Sequence, residues 1–72
     1  MAPNYSAARA IYYGNLAACR MHLLEYEAAV AMSTKALEID PKYVKVLMRR
    51  SVAYEKLGDD ERAVEDAKQA RW

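Results

Sequence analysis

The sequence predicts an all-α fold made of antiparallel helix-turn-helix repeats, with about four helices. Four segments carry apolar residues at helical spacing, and the second pair of segments repeats the first at an offset of 34 residues. No segment alternates between apolar and polar residues as a half-buried strand does. The breaks between the segments are very short, so consecutive helices must fold back on one another.

The positions of the breaks give the expected limits of each helix. Residues 1–6 are expected to form an extended lead-in, with Ser6 as the cap of a first helix over about 7–23. A second helix is expected over about 26–39. A third follows the Asp40-Pro41 step, because proline ends one helix and suits the first turn of the next, and it stops at Gly58. The fourth runs from about Asp60 to the end.

Each helix carries a stripe of residues that should face the core. Gly14 interrupts the first stripe, and a bare Cα there would let another group approach closely. Arg50 interrupts the third, and we expect Arg50 and Lys56 to be solvated surface residues. The stripes are Ala10, Tyr13, Leu16, Ala17, Arg20 and Met21; Ala29, Val30, Ser33, Ala36 and Leu37; Val44, Leu47, Ala53, Tyr54 and Leu57; and Ala63, Val64, Ala67 and Ala70.

Composition excludes several kinds of protein. The chain has 72 residues and a net charge of +1, which argues against nucleic acid as the main partner. Cys19 is the only cysteine and His22 the only histidine, so no internal disulfide and no zinc site are expected, nor any other cofactor. No apolar run approaches the roughly 20 residues that span a bilayer, and the amino terminus lacks the order of a signal peptide. A soluble, cytoplasmic chain is expected.

The internal repeat carries a family resemblance. An offset of 34 residues places Leu23 on Leu57, Ala29 on Ala63 and Ala36 on Ala70. This period and helix pairing resemble the tetratricopeptide repeat (TPR) family, whose small eighth residue is Ala17 or Ser51 here and whose closing proline is Pro41. The resemblance implies a domain over 7–72, with one repeat at about 10–43 and a second, truncated repeat at about 44–72.

One departure from the family pattern concerns the turn within each repeat. The family's turn glycine is Gly58 in the second repeat, but Leu24 stands at that position in the first. Leu24 must therefore either adopt a left-handed conformation, at a cost of about 1 to 2 kcal/mol, or form a different turn.

Candidate binding residues come from a narrower resemblance within the family. Lys45 and Arg49 lie four apart and hence on one side of a helix, a pattern that usually marks a solvated face. Dicarboxylate-clamp modules of heat-shock co-chaperones, however, carry asparagine, lysine and arginine at the positions of Asn15, Lys45 and Arg49. The resemblance implies that these three bind the carboxylates of an acidic chaperone tail ending in Glu-Glu-Val-Asp. The implied groove-lining residues are Ala18, His22, Met48 and Val52.

The same resemblance leaves the clamp incomplete and the parent protein open. The other lysine and asparagine of such a clamp belong to an earlier repeat, for which this chain has no residues. Residues 32–50, MSTKALEIDPKYVKVLMRR, are also similar to the clamp region of import receptors of the mitochondrial outer membrane. The implied location is therefore either the cytoplasm or the cytosolic face of that membrane.

Two other function classes compete with peptide binding. A structural or self-associating fragment is the first alternative, because Ile11, Tyr12 and the alanine-lined fourth helix would lack covering neighbours, which makes a second copy a candidate partner. An enzyme is the second and is not favoured. Cys19 and His22 have no partner arrangement for catalysis, and Asp59 and Asp60 suit helix capping.

Overall fold

The computed structural model describes residues 5–71, apart from the side chain of Tyr5, and this range forms four α-helices without any strand. The all-α helical-repeat prediction is confirmed. A first unit consists of α1 and α2 and a second unit of α3 and α4. The helices are α1 (Tyr5–His22), α2 (Tyr26–Ile39), α3 (Val44–Lys56) and α4 (Asp60–Ala70).

The helix limits agree with the predicted ones except at the starts of α1 and α3. Helix α1 begins at Tyr5, so Ser6 lies inside the helix and is not its cap; the rest of the predicted lead-in lies outside the described residues. Pro41 lies in a turn, and α3 begins only at Val44. At the start of α4, the Asp59 side chain accepts a hydrogen bond from the backbone N–H of Arg62 at 3.2 Å, which confirms its capping role.

Helix α3 joins the two units. It contacts both helices of the first unit, α1 and α2, and also α4. The main cluster of buried apolar residues draws on three helices, and Tyr13 and Tyr43 pack against it; its members are Ala36, Leu37, Val46, Leu47 and Ala70. The two units therefore share one core.

Side chains of the second unit approach α1 closely at Gly14. A Cβ atom placed on Gly14 would lie 3.0 Å from Cγ2 of Val46 and 3.3 Å from Cε2 of Tyr43. The expected close approach at Gly14 is confirmed, and the approaching groups are Val46 of α3 and Tyr43, which immediately precedes α3.

Burial confirms most of the predicted stripes, but α3 and α4 differ from expectation. Val44, Leu57 and Val64 were predicted to face the core and are exposed instead, whereas Val46 and Asp66 are buried. Because α3 contacts three other helices, its buried surface is wider than a single stripe and includes the adjacent residues Val46 and Leu47. Of the other helices, the α1 residue Arg20 is also exposed, where it pairs with Glu25 at 2.9 Å.

The two turns within the units adopt the same left-handed conformation with different residues. Leu24 has φ 61° and Gly58 has φ 82°. The sequence left two conformations open for Leu24, and the structure shows the strained one. The Leu24 side chain is 69% exposed, so little packing offsets that strain.

We therefore predict that Leu24→Gly raises the free energy of unfolding by up to about 1 kcal/mol, because glycine adopts this conformation without the Cβ clash. Gly58→Ala is the matched control. No atom lies within 4 Å of a Cβ built there, so backbone strain alone should lower stability by about 1 kcal/mol. Urea unfolding of both variants measures the two effects. A less stable Leu24→Gly protein would contradict the strain interpretation.

Candidate functional site

A shallow pocket lies between α1 and α3 and has a volume of about 330 Å³. All four residues predicted to line a groove line this pocket, together with one residue of α1 and one of α3 that were not on that list. The lining residues are Ala18, Met21 and His22 from α1 and Met48, Arg49 and Val52 from α3. The walls are mainly apolar, and the Arg49 guanidinium supplies positive charge beside them.

Arg49 is fixed against α1. Its Nη1 donates a hydrogen bond to the carbonyl oxygen of Gly14 at 3.1 Å, and the side chain is half-buried. A guanidinium carries five N–H donors, and this bond uses one of them. Arg49 is therefore oriented by the backbone of α1, immediately before Asn15, while retaining donors for a ligand.

The other two predicted carboxylate-binding residues flank this bond. Asn15 follows Gly14 on α1, and Lys45 lies one turn before Arg49 on α3; both are exposed. Asn15 thus lies on α1, and the cationic pair Lys45 and Arg49 lies on α3, the helix that contacts α1 near Gly14. Their role in binding remains a prediction.

Arg50, the neighbour of Arg49, faces the core side of α3. Its Nε and Nη2 donate to the two carboxylate oxygens of Asp66, each at 2.7 Å, and its Nη1 donates to Oγ1 of Thr34 at 3.2 Å. The side chains of Arg50 and Asp66 are only 20% and 5% exposed. The prediction that Arg50 is a solvated surface residue is wrong, because one guanidinium connects α2, α3 and α4.

The charge of Arg50 is secured by this pairing. The hydrogen bonds that Arg50 donates to the Asp66 carboxylate raise the pKa of Arg50 above its ordinary value, against the opposing effect of burial. Arginine is already protonated throughout the physiological range, so the guanidinium of Arg50 stays charged. Since Arg49 and Arg50 are adjacent, fixing Arg50 also limits rotation of the part of α3 that presents Arg49.

Sequence reasoning missed Asp66, although a signal was available. The offset that aligns Arg50 with Leu16 also aligns Asp66 with Met32, and both residues of the first unit are half-buried. Opposite charges therefore appear together at two positions that are apolar in the first unit. This paired change predicts an ion pair better than either residue alone.

The described part of the chain carries neither a metal-binding cluster nor a membrane-spanning helix. Among these residues, no group of three or more histidine, cysteine, aspartate and glutamate side chains is placed to hold a metal ion. Within the same range, every helix is too short or too polar to cross a membrane.

Comparison with known proteins agrees with the helical-repeat architecture. The model of the coatomer epsilon subunit family matches residues 1–71. The chain belongs to this family. The match supports a TPR-like repeat, in agreement with the four helices described above.

Individual relatives are also TPR-containing proteins. The chain is 50% identical over 48 residues to the mitochondrial import receptor subunit TOM70 of Saccharomyces cerevisiae, a match that covers 67% of this chain and 8% of the receptor. It is 42% identical over 55 residues to human TOM70, covering 76% of this chain and 9% of the receptor. The chain thus spans less than a tenth of the length of these relatives. No solved structure matches it significantly.

The Arg50–Asp66 pair yields a stability prediction. Arg50→Leu should lower the free energy of unfolding by about 3 kcal/mol, because it leaves the buried Asp66 carboxylate without its partner. The double variant Arg50→Leu/Asp66→Met, which reproduces the residues of the first unit, should recover most of this loss. Urea unfolding of Arg50→Leu, of Asp66→Met and of the double variant measures the coupling free energy between the two side chains. Additive losses would show that the two side chains act independently.

Proposed function

We propose that this chain is part of a protein-interaction module that binds acidic carboxyl-terminal peptides through Asn15, Lys45 and Arg49. The observation that carries the proposal is the Arg49–Gly14 hydrogen bond, which holds a guanidinium at the edge of the pocket between α1 and α3. We assign the module to residues 7–72, with repeats at about 10–43 and 44–72. We infer that it binds a ligand and catalyses no reaction.

The chemistry of such a peptide suits the site. A peptide that ends in aspartate carries two carboxylates close together, and a guanidinium, an ammonium and an amide can bind them with charge-assisted hydrogen bonds. Arg49 is already oriented by Gly14, so less side-chain freedom is lost when the ligand binds. The apolar pocket beside Arg49 accepts an aliphatic side chain such as the valine of Glu-Glu-Val-Asp.

The similarity to TOM70 suggests where such a module works. TOM70 is an import receptor of mitochondria, and the yeast protein is identical to this chain at half of the 48 aligned residues. We infer that the segment serves a receptor of this kind on the cytosolic face of the mitochondrial outer membrane, with heat-shock chaperone tails as ligands. A cytoplasmic co-chaperone is the alternative parent protein.

The binding prediction concerns the two cations. Lys45→Ala and Arg49→Ala should each weaken binding of a Glu-Glu-Val-Asp peptide by about 1.5 to 3 kcal/mol, or roughly 10- to 150-fold, the range for hydrogen bonds to charged groups. Fluorescence anisotropy with a labelled peptide, at low and moderate salt, measures the affinity. The same peptide with an amidated carboxyl terminus should bind as weakly as the variants do.

Lys56→Ala is the matched control, since Lys56 is an exposed lysine at the far end of the same helix. It removes the same charge and should change the affinity little. Absolute affinity should be weak, because only part of a complete clamp is present. Equal affinity of wild type, Lys45→Ala and Arg49→Ala, with unchanged helicity, would reject the clamp.

Self-association is the second candidate function, and exposed apolar side chains favour it. Ile11 and Tyr12 of α1 are exposed, as expected. Ala63 and Ala70 of α4 are buried, as their place in the predicted core-facing stripe requires. The exposed apolar surface near α4 consists of Val64, Leu57 and residues of α3.

A further inference from the structure

The pocket between α1 and α3 has two distinct ends. Gly14 of α1 is approached by Val46 and by the Arg49 guanidinium. Farther along α1, His22 shares the pocket with Val52, which is farther along α3. The contacts advance along both helices together, so α1 and α3 run side by side in the same direction. One end of the pocket therefore lies near Gly14, and the other lies at His22, the last residue of α1.

Two rows of residues with the same spacing extend between these ends. Each row consists of a residue, the third residue after it and the seventh, which share one side of a helix. The rows are Asn15, Ala18 and His22 on α1 and Lys45, Met48 and Val52 on α3. From the Gly14 end, the pairs across the pocket are thus polar first, then apolar, and finally an imidazole beside a valine.

The far end of the pocket has a local electrostatic requirement. It lies at the carboxyl-terminal end of α1, where backbone carbonyl groups carry partial negative charge. Arg20 lies in the same turn, but its guanidinium is paired with Glu25 at 2.9 Å. The imidazole of His22 lines the pocket, and among residues 5–71 it has neither a hydrogen bond nor an ion pair. His22 is therefore the donor at this end that is available to an acidic ligand.

The length of the α1 row matches a short stretch of extended peptide. An α-helix rises about 1.5 Å per residue, so His22 lies roughly 10 Å beyond Asn15 along the helix. An extended chain advances about 3.3 Å per residue, so this distance corresponds to about three peptide residues. Ala18 lies roughly 4.5 Å beyond Asn15, close to the advance of one peptide residue. When the terminal residue lies at Asn15, the residue before it lies over the apolar pair.

We propose that His22 binds the acidic side chain three positions before the carboxyl terminus of the ligand and thereby selects among acidic tails. This inference rests on the proposed binding of the terminal carboxylates by Asn15, Lys45 and Arg49. In Glu-Glu-Val-Asp, the side chain concerned is that of the first glutamate. An imidazole N–H donates to its carboxylate, and both the neutral and the protonated ring carry such a donor.

The alternation of side chains in an extended peptide selects the first glutamate over the second. Successive side chains point to opposite sides, so residues two apart share a side. When the valine faces the apolar pocket, the first glutamate faces the helices as well, whereas the second glutamate points to solvent. The first glutamate is thus both at the right distance and on the right side to reach His22.

A double-mutant cycle between His22 and the peptide tests this assignment. Fluorescence anisotropy at low salt compares the wild type and His22→Ala with labelled peptides ending in Glu-Glu-Val-Asp, Gln-Glu-Val-Asp and Glu-Gln-Val-Asp. The wild type should bind Gln-Glu-Val-Asp about two- to fivefold more weakly than Glu-Glu-Val-Asp, the range for exposed charge pairs. His22→Ala should bind these two peptides equally. The effect of Glu-Gln-Val-Asp should be the same in both proteins.

Two matched variants separate a direct contact from a general effect of charge. His22→Lys keeps a cationic donor at the end of the pocket and should retain the preference for Glu-Glu-Val-Asp over Gln-Glu-Val-Asp. Arg20→Gln removes a positive charge from the same turn of α1 but leaves the pocket lining unchanged, so the preference should persist. Circular dichroism should show equal helicity in all variants.

The possible results distinguish this inference from the binding proposal on which it rests. If Arg49→Ala weakens binding of Glu-Glu-Val-Asp but His22→Ala keeps the wild-type preference, only the role of His22 is overturned. The same holds if Arg20→Gln abolishes the preference, or if His22 is coupled to the second glutamate instead of the first. If the wild type binds amidated and free-carboxyl peptides equally, both proposals are overturned.

Discussion

The packing of α3 against the bare Cα of Gly14 is the contact on which the site and the joining of the two units depend. Glycine within a helix costs about 1 kcal/mol relative to alanine, but here it leaves room for Val46 and Tyr43, which a Cβ atom on Gly14 would crowd. The same approach brings Arg49 to the Gly14 carbonyl oxygen. One missing side chain therefore makes the core between the units continuous and also orients the cation beside the pocket.

Departures from the internal repeat explain more of the chemistry than the repeat itself. Some positions that hold small or apolar residues in the first unit hold charged or larger residues in the second. Leu16 and Met32 become the ion pair Arg50–Asp66, which connects three helices, and Gly14 becomes the exposed Met48. The two units share the same helix-turn-helix arrangement, yet the second carries the positive charge and the exposed apolar residues on which the proposed peptide site depends.

Local rules predicted the parts of this fold that depend on neighbours in sequence. The spacing of apolar residues predicted the helices, and the turn glycine predicted the left-handed conformation at Gly58. For Leu24 the sequence allowed two conformations, one of which was the left-handed conformation that the structure shows. Burial on α3 was less predictable, because a stripe rule assumes one covered side, whereas α3 is covered by α1 and α2 and also by α4. Asp66 resembles any solvated acid until its partner 16 residues away is known.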